Sequence, residues 1–370
     1  MKKEAVQPGA HNRRVTAESL RGREDRLGSI GQTGCVAISE LDLADEHAFN
    51  DWYAAVQEVW VDAWPGDPPW AGVAEMRELF QDHEYNHRVL FVGRDSSGQV
   101  AGAAEVGMPM KENLSVANVE IGVRPSFRGR GIGRALLERV ETFASANERT
   151  VLLSSTYGRQ ATLESRDARF AAAAGYAHAR SEVRRELRLP LDTAQVEALE
   201  LKHVGAAKDY EMVSWWRRCP DELVESRARL ASTLTADEPH GDLDVESEKY
   251  DVERVRRWER DLENVGRELA CTGAVSRDTG ELAAVTEIGL PRPGEDLGMQ
   301  FATVVAREHR GHRLGILVKL ANLKLIMEHS HVPERICTWN VESNEHMIRV
   351  NEEIGFGIAG MAFNWQKITH

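Results

Sequence analysis

The 370-residue sequence predicts an α/β protein of the α+β kind, laid out as two tandem domains. Three observations predict it. Apolar residues switch repeatedly between a period of two and a period near 3.6, the signature of strands interleaved with helices. A glycine-rich loop between a strand-like run and a helical run occurs twice, opened by Arg128 and Arg310, which stand 182 positions apart. A second pair of landmarks, Gly175-Tyr176 and Gly355-Phe356, repeats at a spacing of 180. Two unrelated landmarks with nearly one offset mark a duplicated unit.

Residues 1–33 are polar, rich in Arg, Gly and Ser, and lack periodicity, which predicts a flexible arm. The first unit is expected over 34–190. It opens with the apolar run Cys35 to Ile38, then a helical pattern from Asp42 to Val61 that Pro65, Pro68 and Pro69 interrupt. A second helix is predicted over Val73–Gln81. Strands follow at Arg88–Gly93 and Gln99–Val106, joined by the turn Asp95-Ser96-Ser97-Gly98. A third strand, Val116–Val123, runs into the first glycine-rich loop and the amphipathic helix Ile132–Ala146. A strand at Val151–Ser154, a helix over Ala161–Ala174 and an extended segment Tyr176–Leu189 complete the unit, and Pro190 marks its end.

The second unit is expected over 195–370. Its predicted elements begin with a strand at Leu199–Val204 and helices at Ala207–Arg218 and Asp221–Leu234. A polar insertion around 235–264 carries the acidic stretch Asp237–Asp251, read as a solvated loop, and the amphipathic run Tyr250–Leu262. Strands at Glu268–Val275, Leu282–Gly289 and Leu297–Val305 lead to the second loop and a helix at Leu314–Glu328. The strand Ile336–Trp339, the helix Ser343–Ile354 and the strand Ile358–Gln366 close the chain.

Composition narrows the function. With 42% hydrophobic and 28% charged residues the chain is globular, and it contains no apolar run long enough to cross a bilayer. A net charge of −13 argues against nucleic acid and anionic membrane as partners. Cys35, Cys219, Cys271 and Cys337 are scattered without a C-x-x-C pair, so reduced thiols, a cytoplasmic location and no metal site are expected. No secretory leader pattern is present.

The chemistry is concentrated in the first loop, Val123-Arg124-Pro125-Ser126-Phe127-Arg128-Gly129-Arg130-Gly131-Ile132-Gly133-Arg134. Glycines between a strand and a helix let consecutive N–H groups turn toward one point, where the helix N-terminus adds partial positive charge. Such a turn alone is most often only a tight turn. A Walker loop would need Gly-Lys-Ser/Thr, and a dinucleotide fingerprint a different glycine spacing, so neither fits.

The string R-x-x-G-x-G, preceded by V-x-P and followed by an Ala-Leu-Leu helix, resembles the acyl-CoA loop of the GNAT acetyltransferase superfamily. The element order over 35–190, and less tightly over 195–370, resembles that fold too. The resemblance implies two GNAT-like domains, each a mixed, mostly antiparallel sheet flanked by helices, an architecture similar to mycothiol synthase and antibiotic-pathway acetyltransferases. It further implies acetyl-CoA or another acyl-CoA as cosubstrate, no metal, and N-acyl transfer to a small amine-bearing molecule by direct attack in a ternary complex. Carried onto this chain, Arg128, Gly129, Arg130, Gly131, Ile132, Gly133 and Arg134 hold the pyrophosphate, and Ile121, Gly122 and Val123 the pantetheine arm. In the second loop Val305, Arg310, Gly311, His312, Arg313 and Gly315, with Asn344, form a second candidate cofactor site. Arg313 replaces Gly131 there, so that loop is expected to be degenerate or weakly binding.

The family's tyrosine acid falls on Ala171 in the first half and Asn351 in the second, so it is missing from both, and Tyr157 or water is left as the proton donor. Glu120 is the candidate base, although strand alternation sets it on the opposite face from Ile121 and Val123. His83 and His87 read as surface histidines near the cleft. The aromatics Trp52, Tyr53, Trp60, Trp64, Trp70 and Trp339 read as core or as pocket lining. The alternative class is a noncatalytic acyl-CoA sensor or scaffold, in which the loop holds cosubstrate without an acid–base pair.

Overall fold

A computed structural model describes residues 36–67, 71–81, 83–292 and 294–369. The predicted arm over 1–33, together with Cys35, Pro68, Pro69 and Trp70, lies outside the described residues.

The first half runs β1 (Ala37–Leu41), α1 (Glu46–Ala63), α2 (Val73–Leu79), β2 (Asn86–Arg94), β3 (Val100–Pro109), β4 (Val116–Val123), α3 (Ile132–Ala146), β5 (Val151–Gly158), α4 (Arg166–Ala173) and β6 (Ala177–Arg188). After α5 (Thr193–His203) the second half runs β7 (Tyr210–Trp216), α6 (Val224–Asp237), α7 (Val252–Asn264), β8 (Glu268–Ser276), β9 (Leu282–Leu290), β10 (Leu297–Val305), α8 (Leu314–Met327), β11 (Arg335–Val341), α9 (Glu345–Ile354) and β12 (Gly357–Ile368). Apart from α5 the two lists match element for element.

Local chemistry explains the boundaries. Asp45 caps α1 by accepting the Ala48 N–H at 3.0 Å, and β2 turns into β3 where Asp95 accepts from Ser97 and Gln99. Helix α3 packs Leu136, Val140 and Phe143 onto one face of β2–β4, against Phe91 and Val119. On the other face α1 and α2 pack Phe49, Trp52 and Phe80 against Leu90 and Val92. Trp52 is core, its indole N–H donating to the Ala104 carbonyl, and the Tyr53 hydroxyl donates to the Ala71 carbonyl.

Four expectations change. The strand expected at Leu199–Val204 is the end of helix α5, which Asp192 caps by accepting the Ala194 N–H. The alternating Leu199-Glu200-Leu201-Lys202 imitates a strand, but Leu201 is exposed, and the cap decides. The helix expected at Ala207–Arg218 is strand β7, whose aromatic and β-branched residues pair with β8. The helix expected over Ala161–Ala174 shortens to α4, because Thr162 and Ser165 build a turn before it. The polar insertion divides in two. Helix α7 stands where α2 stands in the first half, and the acidic stretch before it docks on Asn113 of the first half and on the exchanged strand β12. There Glu246 N–H donates to Asn113 Oδ1 at 2.6 Å, and Asp244 N–H to Gln366 Oε1 at 2.6 Å.

The strands form one twelve-stranded sheet among the described residues, in the order β1-β2-β3-β4-β5-β12-β6-β11-β10-β9-β8-β7. The pairs β4/β5 and β10/β11 are parallel and the others antiparallel. The centre is an exchange: β12 of the second half inserts between β5 and β6, and β6 of the first half lies between β12 and β11. Each half's last strand thus completes the other half's sheet, and a cut at 190 would leave β5 and β11 with bare edges. No helix among the described residues is long and apolar enough to cross a membrane, and no cluster of metal-ligating side chains is found among them.

Candidate functional site

Parallel strands β4 and β5 pair only from Val116 opposite Val151 to Asn118 opposite Leu153. Beyond that point each follows its outer partner, β4 along β3 as far as Val123 and β5 along β12 as far as Gly158. The strands therefore part, and a cavity of about 710 Å³ opens in the wedge. Glu120, Ile121, Gly122 and Val123 form one wall and Ser154 to Gln160 the other. The loop residues Arg128, Gly129, Gly131, Ile132, Gly133 and Arg134 also line it, as do Val59, Asp62 and Ala63 of α1, with Asp62 paired to Arg128.

The loop begins with a 3-10 turn at Pro125–Phe127, pinned by the buried Phe127 ring. Gly129 and Gly131 then take φ of 77° and 83°, the left-handed region that favours glycine. A Cβ at either position would meet no heavy atom within 4 Å, so the space above the loop is open. Gly131 is the N-cap of α3 and no side chain caps that end, so the first amides of the helix keep free donors at the positive end of its dipole.

The arginines behave differently from expectation. Arg128 donates from Nε to the Val123 carbonyl at 3.0 Å and pairs with Asp62 of α1 at 2.6 Å. It ties the loop to the strand end and to α1, and does not reach toward a phosphate. Arg130 donates to the Ser126 carbonyl, lies over the Phe127 ring, and is absent from the cavity wall. Both are engaged in holding the loop's own shape. Arg134 is exposed on the cavity wall.

Glu120 lies on the wall, half-buried, opposite Glu105 across the β3/β4 ladder. The residue two along on the same face, Gly122, is where α1 comes closest: a Cβ there would stand 3.1 Å from Val59. Strand alternation thus turns Glu120 toward the α1 side of the wedge. Burial, and after it the negative charge of Glu105, pushes its carboxyl up to about 8, while a hydrogen bond from the Ser155 backbone opposes the shift. Tyr157 faces the same cavity from β5, its ring against Trp60 and Trp64. Burial and then the charge of Glu120 raise its phenol far above the ordinary value, so it stays protonated. Trp64 is fully buried behind the wall, and neither His83 nor His87 lies on it.

The second half repeats the frame with other side chains. Strands β10 and β11 also part after Met299 opposite Cys337. At the 182-residue offset Ala302 stands for Glu120 and Lys319 for Leu137, and at the 180-residue offset Phe356 stands for Tyr176. Lys319 is buried over the Phe356 ring and donates to Gln300 Oε1 at 2.9 Å. Thr338 Oγ1 bonds the Gln300 carbonyl across the two strands. A buried polar group therefore stands where the first wedge has Leu137. Its loop holds Gly311 at φ 88° and Arg313 at φ 59°, so the cationic residue does take the left-handed N-cap position, at a strain of about 1 kcal/mol. Arg310 is engaged like Arg128, with Asp237 and the Val305 carbonyl as acceptors. His312 bonds the Ala206 carbonyl, and Asn344 is spent as the N-cap of α9, accepting the Met347 N–H. Of the second candidate cofactor set, Arg310, His312 and Asn344 thus have structural partners instead.

Residues 49–162 match the family model described as Acetyltransferase (GNAT) family. They form a GNAT acetyltransferase domain. The structure is similar to a tandem GNAT protein from the clavulanic acid biosynthesis pathway, at 26% identity and a TM-score of 0.71, over 90% of this chain and 98% of that one. It shares its fold with a GCN5-related N-acetyltransferase from Sphaerobacter thermophilus, at 15% identity and a TM-score of 0.60, over 90% and 95% of the two chains. An 80-residue stretch is 40% identical to the N-alpha-acetyltransferase RimI of Mycobacterium tuberculosis. That stretch is 21% of this chain and spans about half, 48%, of the relative. The tandem GNAT architecture expected from the loops is the one observed.

Apart from Tyr157, the wall residues between Ser154 and Gln160, with Val59, Asp62 and Ala63, were not singled out by the sequence motifs. The extended β5, which outruns the predicted Val151–Ser154, was the one signal available for the first group.

Proposed function

We propose that the first-half wedge binds acetyl-CoA or another acyl-CoA and transfers its acyl group directly to a small amine-bearing molecule. One observation carries the reading: the open, uncapped amides at Gly129–Arg134 and the carboxyl of Glu120 line a single cavity. The residues fit the cosubstrate. The space over Gly129 and Gly131 suits a pyrophosphate against the helix N-terminus, and the unpaired stretch of β4 at Ile121–Gly122 offers backbone groups to a pantetheine arm, as a strand edge does. Bound there, an acyl-CoA supplies a thioester as the acyl donor.

The chain's own groups provide the proton chemistry. An amine arrives mostly as its ammonium form and must lose a proton before it can attack. Glu120, poised near neutrality, accepts that proton at its carboxylate, directly or through one water. Tyr157 retains its phenolic proton in the same cavity and is placed to give it to a departing sulfur. No covalent enzyme intermediate is needed. The absence of the family's usual tyrosine favours the sensor reading, and the pairing of Glu120 with Tyr157 in one cavity favours catalysis. A cytoplasmic site of action agrees with reduced cysteines, of which Cys219, Cys271 and Cys337 are free and buried.

Native mass spectrometry with acetyl-CoA, followed by thiol release over a panel of small amines, tests this. One cosubstrate per chain and amine-dependent release are expected. Binding without release over the whole panel would leave the sensor, and two molecules per chain would reopen the second cleft.

A further inference from the structure

Beside the wedge, past the end of β5, lies a cluster of charges that the reaction above does not use. Asp67, buried just after α1, accepts from Arg159 at 3.2 Å, pairs with Arg184 of β6 at 3.0 Å, and accepts from Arg335 of β11 at 2.8 Å. Glu186 also pairs with Arg184 and Arg335, at 2.8 and 3.3 Å. Three guanidinium groups thus share two buried or near-buried carboxylates, and the one further acid, Asp296, is largely exposed at 3.6 Å from Arg335. Arg184 is almost wholly buried against the Trp64 ring, and its Nε and Nη1 find no acceptor among the described residues. The cluster therefore has a surplus of positive charge and of donors.

Arg159 is the member of that cluster on the cavity wall. Its backbone N–H donates to the Ala63 carbonyl at 3.0 Å, which fixes it against the end of α1. One nitrogen, Nη2, is held by Asp67, and Nε and Nη1 have no described partner. Of the other charges on the wall, Arg128 pairs with Asp62 and Arg166 with Asp167, and Arg134 is exposed on the glycine loop. Away from that loop the wall keeps Glu120 and, four residues beyond its partner Ser155 and just past β5, Arg159 with part of its guanidinium unengaged.

Resting on the acyltransferase reading, we infer that Arg159 recognises the acceptor and that the acceptor carries a carboxylate as well as its amine. Arg159 lies in the turn just past β5, four residues beyond the Ser155 whose backbone bonds Glu120, so the two groups meet the cavity at different points. The amine and the carboxylate are accordingly separated by several bonds and not borne on one carbon. A planar guanidinium with two spare nitrogens suits a carboxylate, and Asp67 keeps it oriented.

The test uses the full chain and matched acceptor pairs, 6-aminohexanoate against hexylamine and 8-aminooctanoate against octylamine, with acetyl-CoA held constant. The expected result is at least a tenfold preference in kcat/KM for the carboxylated member, carried by KM. In Arg159→Gln that ratio falls toward one, and Arg159→Lys restores part of it. Equal rates within each pair, or a preference that survives Arg159→Gln, would overturn the inference. If no acceptor is acetylated, calorimetry on the CoA-loaded protein replaces turnover: tighter binding of the carboxylated member, lost in Arg159→Gln, supports the inference, and equal or absent binding overturns it. Failure of acetyl-CoA itself to bind would instead sink the acyltransferase reading.

Discussion

Glu120→Gln perturbs the site at the group that gives it chemistry. The carboxyl titrates near 8, so its ionised fraction is about 1% at pH 6, about 10% at pH 7 and about half at pH 8. Only the ionised form accepts a proton. With an acceptor amine of low basicity, neutral throughout this window, the proton Glu120 accepts is the one the nitrogen sheds on attacking the thioester, and kcat/KM of the wild type rises about tenfold from pH 6 to pH 7 and levels above pH 9. The variant loses that limb and falls by roughly 10²- to 10⁴-fold at the plateau, the usual worth of a positioned base. Thiol release from acetyl-CoA across pH 6 to 9.5 reads both quantities. A limb near 8 that persists in Glu120→Gln would refute the assignment. Stability supplies an independent check. The folded value lies above the ordinary 4.5, so the protonated group favours the folded state. That contribution is fully present below about pH 4.5 and is lost as pH rises through about 8. At roughly 1.4 kcal/mol per pH unit, reduced by water in the cavity, the wild type loses on the order of 2 to 3 kcal/mol by pH 7. Glu120→Gln loses none of this, so its Tm should fall less than the wild type's between pH 5 and pH 8.

The remaining predictions concern the loops and the strand exchange. Gly131→Val forces a branched residue to φ 83° at a cost of about 1 to 2 kcal/mol and crowds the open amides, so calorimetry should show at least tenfold weaker acetyl-CoA binding. Arg313→Gly relieves the matching strain in the second loop and should raise Tm slightly while leaving one acetyl-CoA per chain, since Ala302 and the buried Lys319–Gln300 pair are unchanged. Arg310→Ala removes a largely exposed pairing with Asp237 and should cost under about 1 kcal/mol, with cosubstrate stoichiometry unchanged. Gly360→Ala places a Cβ 2.4 Å from the Trp64 ring and 2.8 Å from the Gly158 carbonyl, an overpacking expected to destabilise by about 1 to 3 kcal/mol in urea titration.

Most of the element order and the place of the cosubstrate loop were legible from local signals. Val116–Val123 and Ile132–Ala146 match their predicted bounds, because the apolar period changes sharply where Pro125 and the glycines stand. The misread stretch at 199–218 lies where local preference is weak. Leu199 and Leu201 alternate on a helix that a single aspartate caps, and Tyr210 to Trp216 become a strand only by pairing with β8. The loop arginines were legible as charges but not as partners. Arg128 serves Asp62 and Val123, and Asp62 stands 66 positions away on α1.

The amino-acid sequence alone determines what depends on neighbours along the chain: helix caps, strand periods, left-handed glycines, and the repeated order that reveals the duplication. The tertiary structure decided what depends on neighbours in space. It exchanged β6 and β12 between the halves, set Glu120 between Glu105 and Ser155, and buried Lys319 against Gln300 in the second half. Backbone preference is a property of a few consecutive residues. Burial, charge pairing and strand partnership bring together residues tens to hundreds of positions apart, so their outcome appears only when the chain is folded.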